Sequence, residues 1–263
     1  MNTLTVTLVQ ADLAWEDKDA NLRKFTRIIE GITDKTELIV LPEMFSTGFS
    51  MNPERLAETM EGETVCWLKE IAARKGAIVA GSLMIEEGGH YFNRLVWMLP
   101  NGNYGFYDKR HLFCYAGEDK HYSRGDTRLI ASVKGWRVNL QVCYDLRFPV
   151  WARQQKSDHE GPEYDVLLYV ANWPERRNHA WKSLLTARAI ENQCYVVGVN
   201  RVGNDGNQIY HSGDSMVLSP LGEVLHHVAD KEEVYTITLQ KQTLETVREK
   251  FPFWRDADSF TIY

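Results

Sequence analysis

Apolar and polar residues alternate with two different periods along this chain, and the changes of period mark its elements. Residues 3–10 alternate apolar and hydroxyl side chains, as a half-buried strand does. In 17–32, Leu22, Phe25, Ile28 and Ile29 fall instead on one helical face. Residues 38–41 are a continuous apolar run, which predicts a strand buried on both faces. A helix is predicted at 61–75, with Val65, Leu68, Ile71 and Ala72 on its apolar side, and a strand at 77–85. Residues 93–99 and 104–107 flank Pro100-Asn101-Gly102-Asn103, turn chemistry that makes them a hairpin. The stretch 114–126 is polar, aromatic and aperiodic, hence a long loop, a class that tends to be functional inside compact domains.

Val138, Leu140 and Val142 then alternate with Asn139 and Gln141 as a strand, and Pro149 with the apolar spacing after it predicts a helix start. An apolar strand at 164–170 is ended by Asn172-Trp173-Pro174. A helix at 178–193 buries Trp181, Leu184, Leu185, Ala189 and Ile190, and a strand at 194–199 follows it. After the turn at 203–207 come two strands around Pro220-Leu221-Gly222 and a last strand at 234–239. The tail from about 240 has no clean period and is expected to pack on the domain edge or on a partner subunit. Strands alternate with helices early and again after Cys143, with hairpins between and after. That order predicts two mixed sheets between helical layers, an α/β/β/α sandwich.

With 263 residues, 44% of them hydrophobic, and no linker-like stretch, the chain reads as a single domain over 1–263. A formal charge of −6 without a basic tract argues against nucleic-acid or anionic-membrane partners. The start MNTLTVTLVQAD lacks the basic flank and apolar core of a signal peptide, and no apolar run is long enough to span a bilayer, so a cytoplasmic protein is expected. Cys66, Cys114, Cys143 and Cys194 are widely spaced, with neither a CxxC pair nor a histidine cluster. They are expected to be free thiols, with no metal site and no organic cofactor.

Three residues stand out at strand exits. Glu43 follows the apolar run in LPE, Lys109 ends the second hairpin strand in YDK, and Cys143 stands where a strand turns, in CYDLR. A thiol there is presented beside backbone N–H groups and can act as a nucleophile, although a strand cysteine also serves as a small hydrophobe. A carboxylate and an ammonium supply the general base and the positive charge that thiol attack on an amide carbon requires.

The ordered set LPE, YDK and CYDLR resembles the nitrilase superfamily of carbon–nitrogen hydrolases, and the resemblance runs from TVTLVQAD to SPLGEVL. It implies a four-layer αββα fold, commonly as a homodimer, with Glu43, Lys109 and Cys143 as catalytic triad and Glu118 as accessory glutamate. The backbone N–H of Tyr144 would join Lys109 at the oxyanion. CYDLRFP resembles the amidase-like branches rather than the nitrile-cleaving ones. The stretch ANWPERRNHAWKSLLTARAIENQCYVVGVNRVG resembles bacterial omega-amidases, which act on 2-oxoglutaramate and 2-oxosuccinamate.

On that resemblance Arg147 holds the substrate's remote carboxylate, while a structural pairing of Arg147 with Asp145 stays open. Asn172 and Trp173 would form the wall that limits substrate length, though a Trp beside Pro also suits a core. N-carbamoyl amino acid or nitrile hydrolysis on the same scaffold, and a non-catalytic binding role, are the alternatives.

Overall fold

The alternation of the first strand sorts its side chains between two cores. In β1 (Thr3–Gln10), Leu4, Val6 and Leu8 enter the core between two sheets, while Val9 enters a second core beneath helices. β2 (Leu38–Val40) divides in the same way, Leu38 and Val40 to the first core and Ile39 to the second. A computed structural model describes residues 2–157 and 161–262.

Helix α1 (Lys18–Glu30) lies between these strands, its start capped by the Asp17 carboxylate accepting from Ala20 N. Next come α2 (Pro53–Leu56) and α3 (Glu63–Lys75), then strands β3 (Ile78–Glu87), β4 (His90–Met98), β5 (Tyr104–Asp108), β6 (Ile130–Val133) and β7 (Trp136–Val142). The second half holds α4 (Pro149–Ala152), a minimal ribbon of β8 (Lys156–Ser157) and β9 (Gly161–Pro162), β10 (Val166–Ala171), α5 (Asn178–Asn192) and β11 (Tyr195–Asn200). It closes with β12 (Val202–Asn204), β13 (Tyr210–Leu218), β14 (Val224–Ala229), β15 (Glu233–Gln240) and α6 (Lys241–Lys250).

One sheet has the order β15-β1-β2-β3-β4-β5 and the other β12-β13-β11-β10-β7-β6, with β14 beside β13. The centre of each is parallel, β1-β2-β3 in the first and β7-β10-β11 in the second. Leu22, Phe25 and Ile29 of α1 and Leu68 and Ile71 of α3 cover the outer face of the first sheet at Ile39, Val79 and Val96. Helix α5 packs on β11 and β13 of the second sheet, burying Trp181, Leu185 and Ala189. The four layers are those the strand and helix order predicts, and central strands covered on both faces explain why β2, β10 and β11 are buried along their whole length. Among the described residues no helix is long and apolar enough to cross a membrane.

The structure departs from expectation in several places, and Ile190, expected on the buried side of α5, is exposed. The tail begins as helix α6; only Leu244 and Val247 of it are buried, too few apolar residues to print a period. Its other anchors are polar: Asp165 accepts from Lys241 Nζ at 2.5 Å and Arg248 Nη1 at 3.2 Å, and Gln193 Nε2 donates to the carbonyl of Phe251 at 2.7 Å. The tail thus packs on this chain's own edge, and beyond Phe251 too, with Trp254 N–H donating to Gln193 Oε1 at 3.3 Å and Ile262 against the core; Tyr263 lies outside the described residues. The helix at Pro149 lasts only four residues. Strand β6 had no sequence signal. The long loop contains two single turns, Cys114–Ala116 and Glu118–Lys120, joined by Gly117 at φ 78°.

Asp165 is the anion on which the tail converges, and removing it leaves Arg248 short of its counter-ion in a buried setting. Asp165→Ala should lower the unfolding free energy by about 3–5 kcal/mol, read by denaturant titration.

Candidate active site

The strands β2, β5, β7 and β10 end on one side of the sandwich, and the residues just beyond them, Glu43, Lys109, Cys143 and Asn172, meet there. Beyond β2 the chain is held by Leu41 N–H on the carbonyl of Ala80 at 2.7 Å and Met44 N–H on Ser82 Oγ at 2.9 Å, with Met44 in the left-handed region at φ 43°. That turn aims Glu43 inward. Its Oε1 accepts from Lys109 Nζ at 2.9 Å, and its Oε2 accepts from the backbone N–H of Asn172 at 2.7 Å. Lys109 Nζ also donates to both oxygens of Glu118, at 3.0 and 2.9 Å. Asn93 Nδ2 bridges the two carboxylates, 2.8 Å from Glu43 and 3.2 Å from Glu118. The N–H of Phe113 fixes the second oxygen of Glu118 at 2.6 Å, and the ring of Phe49 lies 5.0 Å from Nζ.

Glu43 and Glu118 are wholly excluded from solvent and Lys109 nearly so, at 1%. Two carboxylates around one ammonium give the cluster a net charge of −1 when all three are ionised. Burial opposes the charge on Lys109, but the adjoining Glu118 and Glu43 more than offset it and hold its pKa above the ordinary lysine value. Burial pushes the Glu118 carboxyl up, Lys109 pulls it down and Glu43 pushes it up again, with a net rise. The Cys143 thiol is raised well above its usual range by burial first and then by the negative charge of Glu43, which Lys109 only partly offsets. In the resting protein Cys143 is therefore a neutral thiol beside a base, with a stably charged ammonium close by.

Cys143 itself sits in the left-handed region at φ 45°, a cost of about 1 kcal/mol or more for a residue with a Cβ. Asp145 holds that elbow. Its Oδ2 accepts from Val142 N–H at 3.0 Å and from Tyr107 Oη at 2.8 Å; its Oδ1 accepts from His111 N–H at 2.9 Å and lies 2.8 Å from His111 Nδ1. Arg188 Nη2 adds a bond to the carbonyl of Leu146 at 2.5 Å. The considered pairing of Asp145 with Arg147 is absent, because every Asp145 oxygen is engaged with the elbow and with the end of β5.

Cys143 opens on a cavity of about 580 Å³. Tyr144, Arg147, Asn172 and Trp173 line it, together with Phe49 and Phe113. Arg147 lies over the ring of Trp173 at 4.9 Å, and among the described residues it has no carboxylate partner. Trp173 is both core and wall: its Nε1 donates to the carbonyl of Arg177 at 2.8 Å and its ring packs on Trp181 at 5.5 Å. Asn172 gives its backbone N–H and, through a 2.5 Å bond to the carbonyl, its Nδ2 to Glu43, while its Oδ1 is buried without a partner and the residue also lines the cavity. All eight residues singled out from the sequence therefore gather at one place. Sequence reasoning missed Asn93, Asp145 as an elbow lock, and the cavity residues Arg176 and Arg177. Asn93 stands beside Arg94 in β4, so a polar residue in that strand did not single it out. Among the described residues no group of three His, Cys, Asp or Glu side chains could hold a metal ion.

An αββα sandwich with a Glu–Lys–Cys constellation at its strand ends defines a class. The carbon–nitrogen hydrolase profile matches residues 5–249, and the chain belongs to that family of enzymes. It is 46% identical to the omega-amidase YafV of Escherichia coli K12 over the full length of both chains. It is 32% identical to the 2-oxoglutaramate amidase of Bacillus subtilis 168, with 96% of each covered. The fold superposes on a crystal structure from Xanthomonas campestris, a CN-hydrolase superfamily protein with an arsenic adduct in its active site, at TM-score 0.98, 43% identity and full coverage of both chains. The nitrilase-superfamily resemblance of the sequence thus holds for the family and for the fold.

Because the thiol is raised, Cys143 should add no thiolate absorbance near neutrality; its ionisation belongs above the ordinary cysteine range. Ultraviolet difference spectra of the wild type against Cys143→Ala between pH 6 and about 9 should be flat near 240 nm. A step within that window contradicts the assigned electrostatics.

Proposed function

We propose that this enzyme is an omega-amidase, releasing ammonia from the terminal amide of 2-oxoglutaramate and 2-oxosuccinamate through a thioester on Cys143. The observation that carries the reading is the cavity itself. A thiol lies at the floor with the Glu43 carboxyl buried behind it, and an arginine free of any carboxylate stands at the wall. Similarity to an omega-amidase and to a 2-oxoglutaramate amidase supports the substrate class.

In the proposed reaction Glu43 takes the thiol proton as Sγ attacks the amide carbon. The amide oxygen gains negative charge between Lys109 Nζ and the Tyr144 backbone N–H, and a preorganised donor of this kind is worth about 3 kcal/mol of barrier. Protonated Glu43 then hands its proton to the departing nitrogen, which leaves as ammonia. A water deprotonated by Glu43 attacks the thioester, the acid leaves, and the proton returns to sulfur. Glu118 acts as a positioning residue, holding Lys109 through two hydrogen bonds. Arg147 grips the carboxylate at the far end, where a planar guanidinium suits a two-point contact.

A homodimer in the cytoplasm is part of the proposal. Free thiols suit a reducing compartment. The exposed side chains of Ile190 and Leu221, neighbours across Gly222, offer an apolar strip for pairing, which sedimentation analysis can test.

Cys143→Ala should abolish ammonia release with the fold intact, while Cys66, Cys114 and Cys194 tolerate Ala. Arg147→Ala should cut kcat/KM for 2-oxo acid amides by roughly tenfold or more, chiefly through KM, and leave neutral short amides much less affected. A panel of 2-oxoglutaramate, glutamine, aliphatic amides, ureido acids and nitriles reads both. Equal losses on every substrate, with a lowered melting temperature, would make Arg147 structural.

A further inference from the structure

Arg147 is not the only unpaired cation on the cavity. Arg176 and Arg177 line the same wall, in the turn that leads from β10 into α5. The other substantially buried arginines of this chain have anions: Arg94 pairs with Glu87 and Asp108, Arg188 with Glu191, Arg201 with Asp12, and Arg248 with Asp165. Among the described residues Arg147, Arg176 and Arg177 have none. Arg177 is half-buried, with its guanidinium over the Phe113 ring at 5.1 Å, and burial followed by repulsion from Arg176 lowers its pKa, with Arg147 adding to that repulsion. Arg177 is also the N-cap of α5, whose first turn carries no acidic residue, so the positive end of that 15-residue helix adds to the same field. Two half-buried arginines, Arg147 and Arg177, beside the exposed Arg176 carry a mutual repulsion that an arriving anion relieves.

The carboxylates around the cavity make their bonds elsewhere than to these arginines. Glu16 Oε1 accepts from Ser50 Oγ and Asn52 Nδ2, and its Oε2 is paired with Arg55. Asp205 Oδ1 accepts the backbone N–H groups of Asn207 and Ile209. Glu43 and Glu118 belong to Lys109 at the floor. None of these carboxylates pairs with Arg147, Arg176 or Arg177.

We infer that Arg177 is a second specificity-determining residue: with Arg147 it grips the 2-oxo acid head of the substrate and rejects by charge the corresponding 2-amino acid head. The 2-oxo oxygen and the carboxylate together give both guanidinium groups acceptors, whereas a 2-amino acid presents a cation to the same wall. The inference deepens the omega-amidase reading and rests on it for the substrate's orientation, with its amide toward Cys143. A further consequence is that glutamine, differing from 2-oxoglutaramate only at this head, is a poor substrate although its amide is the same.

The test uses ligands that cannot react. 2-Oxopentanoate and norvaline share a five-carbon chain and a carboxylate and differ in the oxo or ammonium group, and neither carries an amide. Titration calorimetry on the wild type should show 2-oxopentanoate binding about tenfold or more tighter than norvaline. Arg177→Gln should weaken 2-oxopentanoate by about tenfold, narrow its margin over norvaline, and keep the wild-type melting temperature. Equal binding of the two ligands by the wild type overturns the inference without recourse to any variant. So does a properly melting Arg177→Gln whose affinity for 2-oxopentanoate changes less than about threefold. The predicted binding pattern accompanied by no hydrolysis of 2-oxoglutaramate would instead sink the omega-amidase reading and leave the anion wall standing.

Discussion

Everything at the mouth of this sandwich depends on one buried ammonium. Lys109 is 1% exposed, and a lone ion so placed would cost several kcal/mol, so it persists only because Glu43 and Glu118 lie within hydrogen-bond distance. Those partners come from different parts of the chain, one from the exit of β2 and one from the long loop after β5. Their own remaining oxygens are taken by Asn93 of β4, by Phe113 N–H and by Asn172 at the exit of β10. The ion therefore fixes strand ends from both sheets relative to one another. A cluster that would be a poor source of stability serves as a precise clamp on geometry.

The same constraint gives the cavity opposite characters at its two regions. At the floor the cluster sums to −1 when all three groups are ionised and adds to burial in raising the thiol; at the wall three arginines without counter-ions sum to +3. A small molecule with a neutral, polarisable amide at one end and an anion at the other matches this division. The rings of Phe49, Phe113 and Trp173 line the cavity and lie against Lys109, Arg177 and Arg147 respectively. Substrate orientation is then decided by charge, which acts over a longer range than shape.

Much of this was legible in the sequence, for physical reasons that also explain what was not. Strong period-2 runs such as Val138, Leu140 and Val142, and apolar runs such as 38–41, announce central strands because burial on one or both faces leaves no freedom of residue type. Helix α6 printed no pattern because polar contacts to Asp165 do work that apolar packing does elsewhere. Glu43, Lys109 and Cys143 were visible as reactive residue types at strand exits, and their order in the chain carried the resemblance. Asn93 and Asp145 were not, since each acts by hydrogen-bonding a residue remote in sequence. Arg177 was hidden for another reason: an arginine is ordinarily a solvated surface charge, and only the absence of a partner in three dimensions makes it stand out.

A final consequence concerns how charge moves during the proposed attack. Before it, the negative charges are on Glu43 and Glu118, the positive charge is on Lys109, and the thiol is neutral. When Glu43 takes the proton and sulfur bonds to carbon, Glu43 becomes neutral and the amide oxygen becomes negative. The total for the site is −1 on both sides of the step. No net charge is created in a medium of low dielectric; one negative charge is displaced from a carboxylate touching Lys109 to the developing oxyanion. That is what a permanently neutral resting thiol achieves and a resting thiolate would not. A preformed thiolate beside two carboxylates would raise the site to −2 before substrate arrived, and burial first, with repulsion from Glu43 second, opposes it.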